Sequence, residues 1–237
     1  VKPNKVFEWT HYFPKVNNRY LPLEKIDDYL KNVNKPFCLI IASDYPHGPF
    51  PKTDKYSKAD IFKLPYDPNY VGNHKPGYYQ NIQDDNDQLG KVLEMVDKYG
   101  HKESSMFIYA SDHGLSGKWS LQEQGLRLPF IVRWPGKIKP NTTSETLLTL
   151  VDVLPTILEV SKTKIPTELD GKSFVKSLKG DDKQINEYIY GVATRQNIRG
   201  CKIFPSRMVR GSRFKLIRNF NSVEVVNSNL GDNPIIN

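Results

Sequence analysis

The sequence of 237 residues predicts an α/β fold with a mostly parallel sheet flanked by helices. Apolar runs of strand length occur at 37–42, 106–110 and 130–134, without the alternation of a half-exposed strand. Such continuous runs are typical of strands buried on both faces. A helical pattern lies between the first two runs and another follows the third, which indicates an α/β domain. With 38% hydrophobic and 25% charged residues, the chain can bury a large core.

In the first half of the chain, a loop leads into a short helix at 23–32, and Pro36 precedes the first apolar run. Residues 45–78 are rich in Pro and Tyr and lack periodicity, so they predict a long loop. Loops of this length inside compact domains are usually functional. The pattern then turns helical at 79–99, with acidic residues in the early turns and Gly100 as a stop signal.

In the second half, a helix at 145–160 follows the third apolar run. The character changes after residue 180, where short strand patterns predict a small antiparallel sheet with strands at 188–194, 207–210 and 213–219. Gly211 and Ser212 join the last two strands in a tight hairpin turn. The predicted organisation is therefore a main α/β domain at 1–180 and a small subdomain at 181–237.

The net charge of +8 is concentrated near the C-terminal end. Eight Lys and Arg residues lie between Arg195 and Arg218 with no Asp or Glu among them. A stretch of one sign attracts anions, which include sulfated glycans, nucleic acid and phosphates, although it can also be a solvated basic face. No helix-turn-helix, zinc-finger, KH or RRM pattern is present, so nucleic acid is not expected as a partner. No apolar run has the roughly 18 residues that a membrane span requires.

Polar residues suited to catalysis follow two of the predicted strands. His47 comes shortly after the first run, and Asp112, His113 and Lys118 come after the second. Open α/β sheets place their sites at such strand ends, where these side chains could bind a metal and an anion together. Taken singly, each histidine could instead be a structural residue held by hydrogen bonds, and Asp-His-Gly could be a simple turn.

Several blocks in order resemble the type I sulfatase family. They are Lys35-Pro36-Phe37-Cys38-Leu39-Ile40-Ile41-Ala42-Ser43 with Pro46-His47-Gly48-Pro49-Phe50; Tyr78-Tyr79-Gln80-Asn81-Ile82; Ser111-Asp112-His113-Gly114 with Gly117-Lys118; Gln124-Gly125-Leu126-Arg127-Leu128-Pro129 and the strand that follows; Val151-Asp152-Val153-Leu154-Pro155-Thr156; and Leu169-Asp170-Gly171-Lys172-Ser173-Phe174. The resemblance covers roughly residues 35–220. It implies an alkaline-phosphatase-like fold for the main domain.

The resemblance also implies roles for individual residues. Asp112 and His113 match two ligands of the family's calcium ion, although the family usually has Asn at the second position. His47 and Lys118 match residues that hold the sulfate group and stabilise or protonate the leaving group. Positioned cations and a metal ion offset the negative charge that gathers on a transferring sulfuryl group.

The family's nucleophile is a formylglycine made from Cys or Ser in a Cys/Ser-x-Pro-Ser/Ala-x-Arg motif, upstream of every block above. Cys201 does not fit that motif, because the residue two positions before Pro205 is Ile203. We therefore expect these residues to carry about half of an active site and to be inactive alone. The full-length protein is expected to require a formylglycine-generating or anaerobic sulfatase-maturating enzyme, and a periplasmic, secreted or lysosomal location.

The tail, from Tyr190 to Asn221, is similar to heparan N-sulfatases and their bacterial relatives. This implies a sulfatase or sulfamidase that acts on glycosaminoglycan-like sugars such as N-sulfoglucosamine, with Arg195 and Arg207 as candidate substrate contacts. The same arginines could instead pin the small sheet to the core or face solvent. Two other functions stay open: a phosphodiesterase or phosphonate hydrolase of the same superfamily, and a non-catalytic protein that binds sulfated glycans.

Overall fold

The computed structural model describes residues 10–17, 19–57, 76–114, 121–181, 183–193 and 205–220. The chain divides into a first unit, Val1–Lys102, and a second unit, Glu103–Asn237. The described helices are α1 (Leu23–Asn32), α2 (Pro76–Lys98), α3 (Glu123–Leu126), α4 (Val153–Val160) and α5 (Val175–Leu178), and the described strands are β1 (Phe107–Ala110), β2 (Phe130–Arg133), β3 (Ile189–Ala193), β4 (Ser206–Arg210) and β5 (Lys215–Asn219). The domain boundary predicted at residue 180 differs from this division of the chain, and it stays a prediction.

The first unit is built on α1 and α2, which pack against each other. Ile26 and Leu30 of α1 and Val92 of α2 are buried in their core. The second helix begins at Pro76, where a missing backbone N–H removes no intrahelical hydrogen bond. The first helix lies where the sequence predicts it, whereas α2 begins three residues before the predicted start at residue 79, within the stretch predicted as a loop. Residues 45–57 of that stretch are described and contain no helix or strand, and residues 58–75 lie outside the described residues.

A polar contact joins the two helices near their ends. The Tyr99 hydroxyl donates a hydrogen bond to Asp27 Oδ2 at 2.9 Å, and Lys98 Nζ lies 3.3 Å from Asp27 Oδ1. The hydrogen bond from Tyr99, followed by the contact with Lys98, lowers the pKa of Asp27. Because the Lys98 side chain is mostly exposed, this ion pair orients the helices more than it stabilises them.

The apolar run 37–42 forms no strand in the part of the chain that the structure describes. Ile40 within it is 65% exposed. A strand exists only beside a hydrogen-bonded neighbour, and among the described residues no segment pairs with this run. The predicted burial of this run is therefore not seen here, since an apolar sequence does not specify which segment lies beside it.

Strands β1 and β2 of the second unit pair with each other in an antiparallel arrangement. Phe107 of β1 pairs with Arg133 of β2, and Ala110 pairs with Phe130. The predicted mostly parallel sheet is thus not confirmed among the described residues. Apolar composition predicts burial but carries no information about strand direction, which depends on how the intervening chain returns.

The helix predicted at 145–160 begins later, at Val153, after a short 3₁₀ turn at Leu150–Asp152. Thr149 and Asp152 form a reciprocal capping box at the start of this 3₁₀ turn. The Asp152 carboxylate is 1% exposed and also accepts hydrogen bonds from the Lys172 N–H at 2.8 Å and the Asn186 amide at 3.0 Å. This one side chain therefore ties together three segments that are distant in sequence.

The core of the second unit lies beside this carboxylate. Phe174 is fully buried, and its ring meets Phe130 of β2 edge to face, with centroids 5.6 Å apart. Gly171 allows the chain to pass close by, because a Cβ atom there would lie 2.0 Å from the Val151 carbonyl oxygen. Only glycine is compatible with that approach.

The predicted small antiparallel sheet is present, in the order β3-β4-β5. Ser206 and Met208 of β4 are buried on one face, whereas Tyr190 and Leu216 are exposed on the other. The hairpin between β4 and β5 turns through residues 211–214, and not through the predicted pair Gly211 and Ser212 alone. A hydrogen bond from the Gly211 N–H to the Phe214 carbonyl oxygen at 2.9 Å closes it. Of the helices described, none has the length and apolarity needed to cross a bilayer.

Candidate functional site

His47 lies on a loop, residues 44–49, that we term the His47 loop. Asn81 of α2 is 1% exposed, and its side-chain amide nitrogen lies 3.3, 3.0 and 3.3 Å from the carbonyl oxygens of Pro46, His47 and Pro49. An amide group donates to these carbonyls and so satisfies loop backbone that has no regular partner. A buried side chain on a helix therefore holds the backbone around His47.

A second side chain, that of the cation Arg19, holds the same loop. Arg19 Nη2 donates to the carbonyl oxygens of His47 at 3.0 Å and Pro49 at 3.4 Å. Its guanidinium group also lies 4.3 Å from the centre of the Tyr45 ring. Burial raises the pKa of Tyr45, so this phenol stays neutral beside the arginine. The loop backbone is thus held by Arg19 as well as by α2.

The polar contacts of α2 form a stripe along the helix. Asp85 accepts a hydrogen bond from the Ser43 hydroxyl at 2.5 Å, and the Gln88 side chain accepts one from the Leu21 N–H at 2.9 Å. With Asn81 these residues have the i, i+4, i+7 spacing of one helix face, and all three are buried. This spacing of amide and carboxyl residues is visible in the sequence and indicates a buried polar face of α2. The apolar periodicity of the helix alone does not reveal that face.

The imidazole of His47 has one nitrogen committed and one available. Its Nδ1 lies 2.9 Å from the Gly48 carbonyl oxygen. A carbonyl oxygen only accepts, so Nδ1 must carry the proton of this bond and Nε2 is left for another partner. His47 is exposed and borders an open cleft of about 380 Å³, which is also lined by Asn17, Arg19 and Asp44.

Asp112 and His113 follow β1 directly, as the sequence predicts. The turn is held by the Gly114 N–H, which donates to the Gly125 carbonyl at 2.8 Å. A Cβ atom on Gly114 would lie 2.4 Å from the Gln124 carbonyl oxygen, so glycine is required where the backbones meet. This close approach fixes the backbone that directly follows Asp112 and His113.

The Asp112–His113 pair has features that fit a divalent cation. The Asp112 side chain is 82% exposed, and its Oδ1 lies 3.8 Å from His113 Nε2. His113 Nδ1 lies 2.8 Å from the Gly114 carbonyl oxygen, which leaves the Nε2 lone pair free. These two residues can supply two ligands, and within the described ranges no cluster of three His, Cys, Asp or Glu residues adds more.

The remaining predicted site residues fall in different places. His47 belongs to the first unit, whereas Asp112, His113 and Arg207 belong to the second. Arg207 lies on β4 with its side chain exposed. Lys118 and Arg195 lie outside the described residues. The predicted roles of all six residues stay predictions.

Comparison with solved structures identifies the class of fold first. A protein solved in complex with its substrate D-glucosamine-2-N,6-O-disulfate superposes with a TM-score of 0.57 at 23% sequence identity. The match covers 62% of this chain and 32% of that one. The chain therefore shares part of the fold of that protein.

Comparison of sequences identifies the family. The sulfatase family model matches residues 19–163, and the C-terminal model of N-sulphoglucosamine sulphohydrolase matches residues 111–232. An ulvan-active sulfatase of Formosa agariphila is 44% identical over all of this chain and 49% of its own length. An endo-4-O-sulfatase of Bacteroides thetaiotaomicron is 28% identical over 87% of this chain and 49% of its own length. The chain belongs to the sulfatase family, as its sequence blocks predict, and spans about half the length of these relatives.

Proposed function

We propose that the full-length gene product hydrolyses sulfate groups on sulfated polysaccharides. The observation that carries this proposal is the Asp112–His113 pair at the end of β1, with an exposed carboxylate and an imidazole nitrogen free to bind. The sulfatase relatives support it, since one is named for activity on ulvan and the chain covers 49% of that relative.

His47 is proposed to act on the sulfate group and the leaving oxygen. Its Nε2 is the nitrogen left free by the bond to the Gly48 carbonyl. In the protonated form, that nitrogen places a positive charge and a transferable proton beside oxygens that become more negative during sulfur–oxygen cleavage. Lys118, outside the described residues, is proposed to add a second positive charge at the same group.

Asp112 and His113 are proposed to hold one divalent cation, calcium by resemblance to the family. Calcium prefers oxygen ligands, and the exposed Asp112 carboxylate provides them, whereas His113 offers a nitrogen ligand where the family usually has Asn. A bound cation supplies positive charge that polarises sulfate oxygens. The bond between His113 and the Gly114 carbonyl keeps the imidazole oriented with Nε2 available.

Replacing Asp112 with Asn is expected to weaken calcium binding about 10-fold or more, because an anionic ligand becomes neutral. Equilibrium dialysis of calcium against the full-length gene product measures this without relying on turnover. Asp170→Asn is the matched control, since Asp170 is an exposed carboxylate with no place in the proposed metal site. Equal calcium affinity in Asp112→Asn and the control would remove Asp112 from the proposed metal site.

The reaction class is tested by giving the full-length gene product an aryl sulfate and the matching aryl phosphate. We expect a preference for the sulfate, with release of inorganic sulfate from ulvan-type or N-sulfated polysaccharide. A preference for the phosphate would instead support the phosphodiesterase or phosphonate hydrolase alternative. No turnover of either substrate, with retained affinity for sulfated glycan, would support a non-catalytic binding protein.

The nucleophile is proposed to be a formylglycine supplied by sequence outside these residues. The sequence contains no Cys-x-Pro or Ser-x-Pro, which the family motif requires. Inactivity of these 237 residues alone, dependence on a maturation enzyme, and a periplasmic, secreted or lysosomal location all stay predictions.

A further inference from the structure

The hairpin of β4 and β5 places cations directly opposite each other twice. Arg210 pairs with Lys215 across the strands, and Arg207 pairs with Arg218. Like charges in directly opposed positions repel and weaken the pairing of the two strands. Each pair therefore requires either a source of negative charge or full solvation.

For the pair of Arg210 and Lys215, the fold itself supplies a negative charge. Glu123 of α3 lies 3.1 Å from Arg210 Nη1 and 2.9 Å from Lys215 Nζ, both measured to the same Oε1 atom. The Lys215 side chain is only 12% exposed in this cluster. One carboxylate thus neutralises the repulsion on this side of the sheet, which pins the hairpin to α3.

The second pair has no such carboxylate in the parts of the chain that the structure describes. Arg207 alternates with the buried Ser206 and Met208, so it projects from the opposite, exposed face of β4. The guanidinium carbons of Arg207 and Arg218 lie 5.9 and 5.1 Å from the centre of the Phe220 ring. Both guanidinium groups therefore lie near the same aromatic ring.

The same face continues with apolar side chains. Val192 of β3 is directly opposite Arg207 and is 56% exposed. In the next row, Tyr190 of β3 and Leu216 of β5 are 73% and 66% exposed. Two arginines beside exposed aromatic and aliphatic side chains match a sugar chain, which carries anionic groups and has apolar C–H faces.

We propose that Arg207 and Arg218 together bind an anionic group of the polysaccharide, with its sugar ring against the exposed apolar row. The bound sulfate or carboxylate group supplies the negative charge that Glu123 supplies to the other pair. Guanidinium groups suit this ligand because their planar donors match two oxygens at once. The choice of ligand rests on the proposed function, whereas the site itself rests on the two charge pairs.

The test uses the full-length gene product with Arg207→Gln, Arg218→Gln and both together, and Arg213→Gln as the control. Arg213 is an exposed arginine of the same hairpin whose guanidinium lies over Phe214, so its replacement makes the same change in charge as each single replacement. The probe is a fluorescent heparin-type oligosaccharide, and its binding is measured by fluorescence polarisation without any need for turnover.

The double variant is expected to bind the probe on the order of 10- to 100-fold more weakly than the control. Its thermal midpoint is expected to equal or exceed that of the control, because the replacement removes a repulsion between opposed strands. Polygalacturonate, which carries only carboxylates, is compared with unlabelled heparin as a competitor of the probe. If the two compete equally well, the site accepts a carboxylate group. If polygalacturonate competes more weakly than heparin, the site selects sulfate.

Two outcomes would overturn the proposal. One is a double variant that binds the probe as tightly as Arg213→Gln. The other is a double variant with a lowered thermal midpoint, which would assign the arginines to the stability of the sheet. Failure of the proposed function would be a separate result. In that case the protein would release no sulfate but would still bind the probe through Arg207 and Arg218.

Discussion

Replacing His47 with alanine is expected to lower turnover of an aryl sulfate by the full-length gene product about 10²- to 10⁴-fold. The imidazole is the group proposed to supply charge and a proton through Nε2, and alanine supplies neither. The loop itself should remain in place. Asn81 and Arg19 hold it through carbonyl oxygens of the backbone, and these are unchanged by the substitution. The measurement is steady-state release of the aryl alcohol across a range of pH.

His11→Ala is the control for this experiment. His11 lies in the same unit, and its ring packs against Phe13 and Tyr29 without a place in the proposed chemistry. We expect this variant to retain its turnover and the pH profile of the parent. If His47→Ala kept turnover within a few-fold of the parent, the proposed role of His47 would be wrong and its bond to Gly48 would be structural.

Replacing Asp152 with Asn is expected to cost about 3 kcal/mol of unfolding free energy. The buried carboxylate accepts the Thr149 N–H and the Asn186 amide on Oδ2, and the Lys172 N–H on Oδ1. An amide of the same shape turns one acceptor into a donor, so at least one buried donor loses its partner. The loss follows from an unpaired polar group in a site that is 1% exposed.

Urea unfolding of the full-length gene product measures this loss, with Asp170→Asn as the control. Asp170 is exposed, and its replacement is expected to change stability by no more than about 0.5 kcal/mol. A loss below about 1 kcal/mol for Asp152→Asn would show that the three segments do not depend on this carboxylate.

The sequence predicted elements whose signals are local. The helical patterns of α1 and α2 and the stop at Gly100 depend on neighbouring residues, and the structure has all three. A hairpin follows β4 as predicted, but its turn takes up residues 211–214, and β5 begins two residues later than the predicted strand. The start of α4 differs from the prediction for a local reason as well. A 3₁₀ turn with a capping box between Thr149 and Asp152 precedes the helix, so the helix begins later than the predicted residue 145.

The candidate site divides in the same way. His47, Asp112 and His113 follow apolar runs and belong to recognisable blocks, so the sequence alone singled them out. Arg19 and Asn81 could not be assigned to the His47 loop in advance. They reach it from positions 28 and 34 residues away, and such contacts depend on how helix and loop pack.

The sequence by itself determined the family, α1 and α2, a hairpin near the C-terminal end and the polar residues at the end of β1. Only the tertiary structure decided the antiparallel pairing of β1 with β2 and the exposed placement of Ile40. It also decided that Glu123 neutralises Arg210 and Lys215 while Arg207 and Arg218 face outward. The physical reason is that apolar pattern and charge count are properties of a segment, whereas strand direction and ion pairing depend on which distant segment lies beside it.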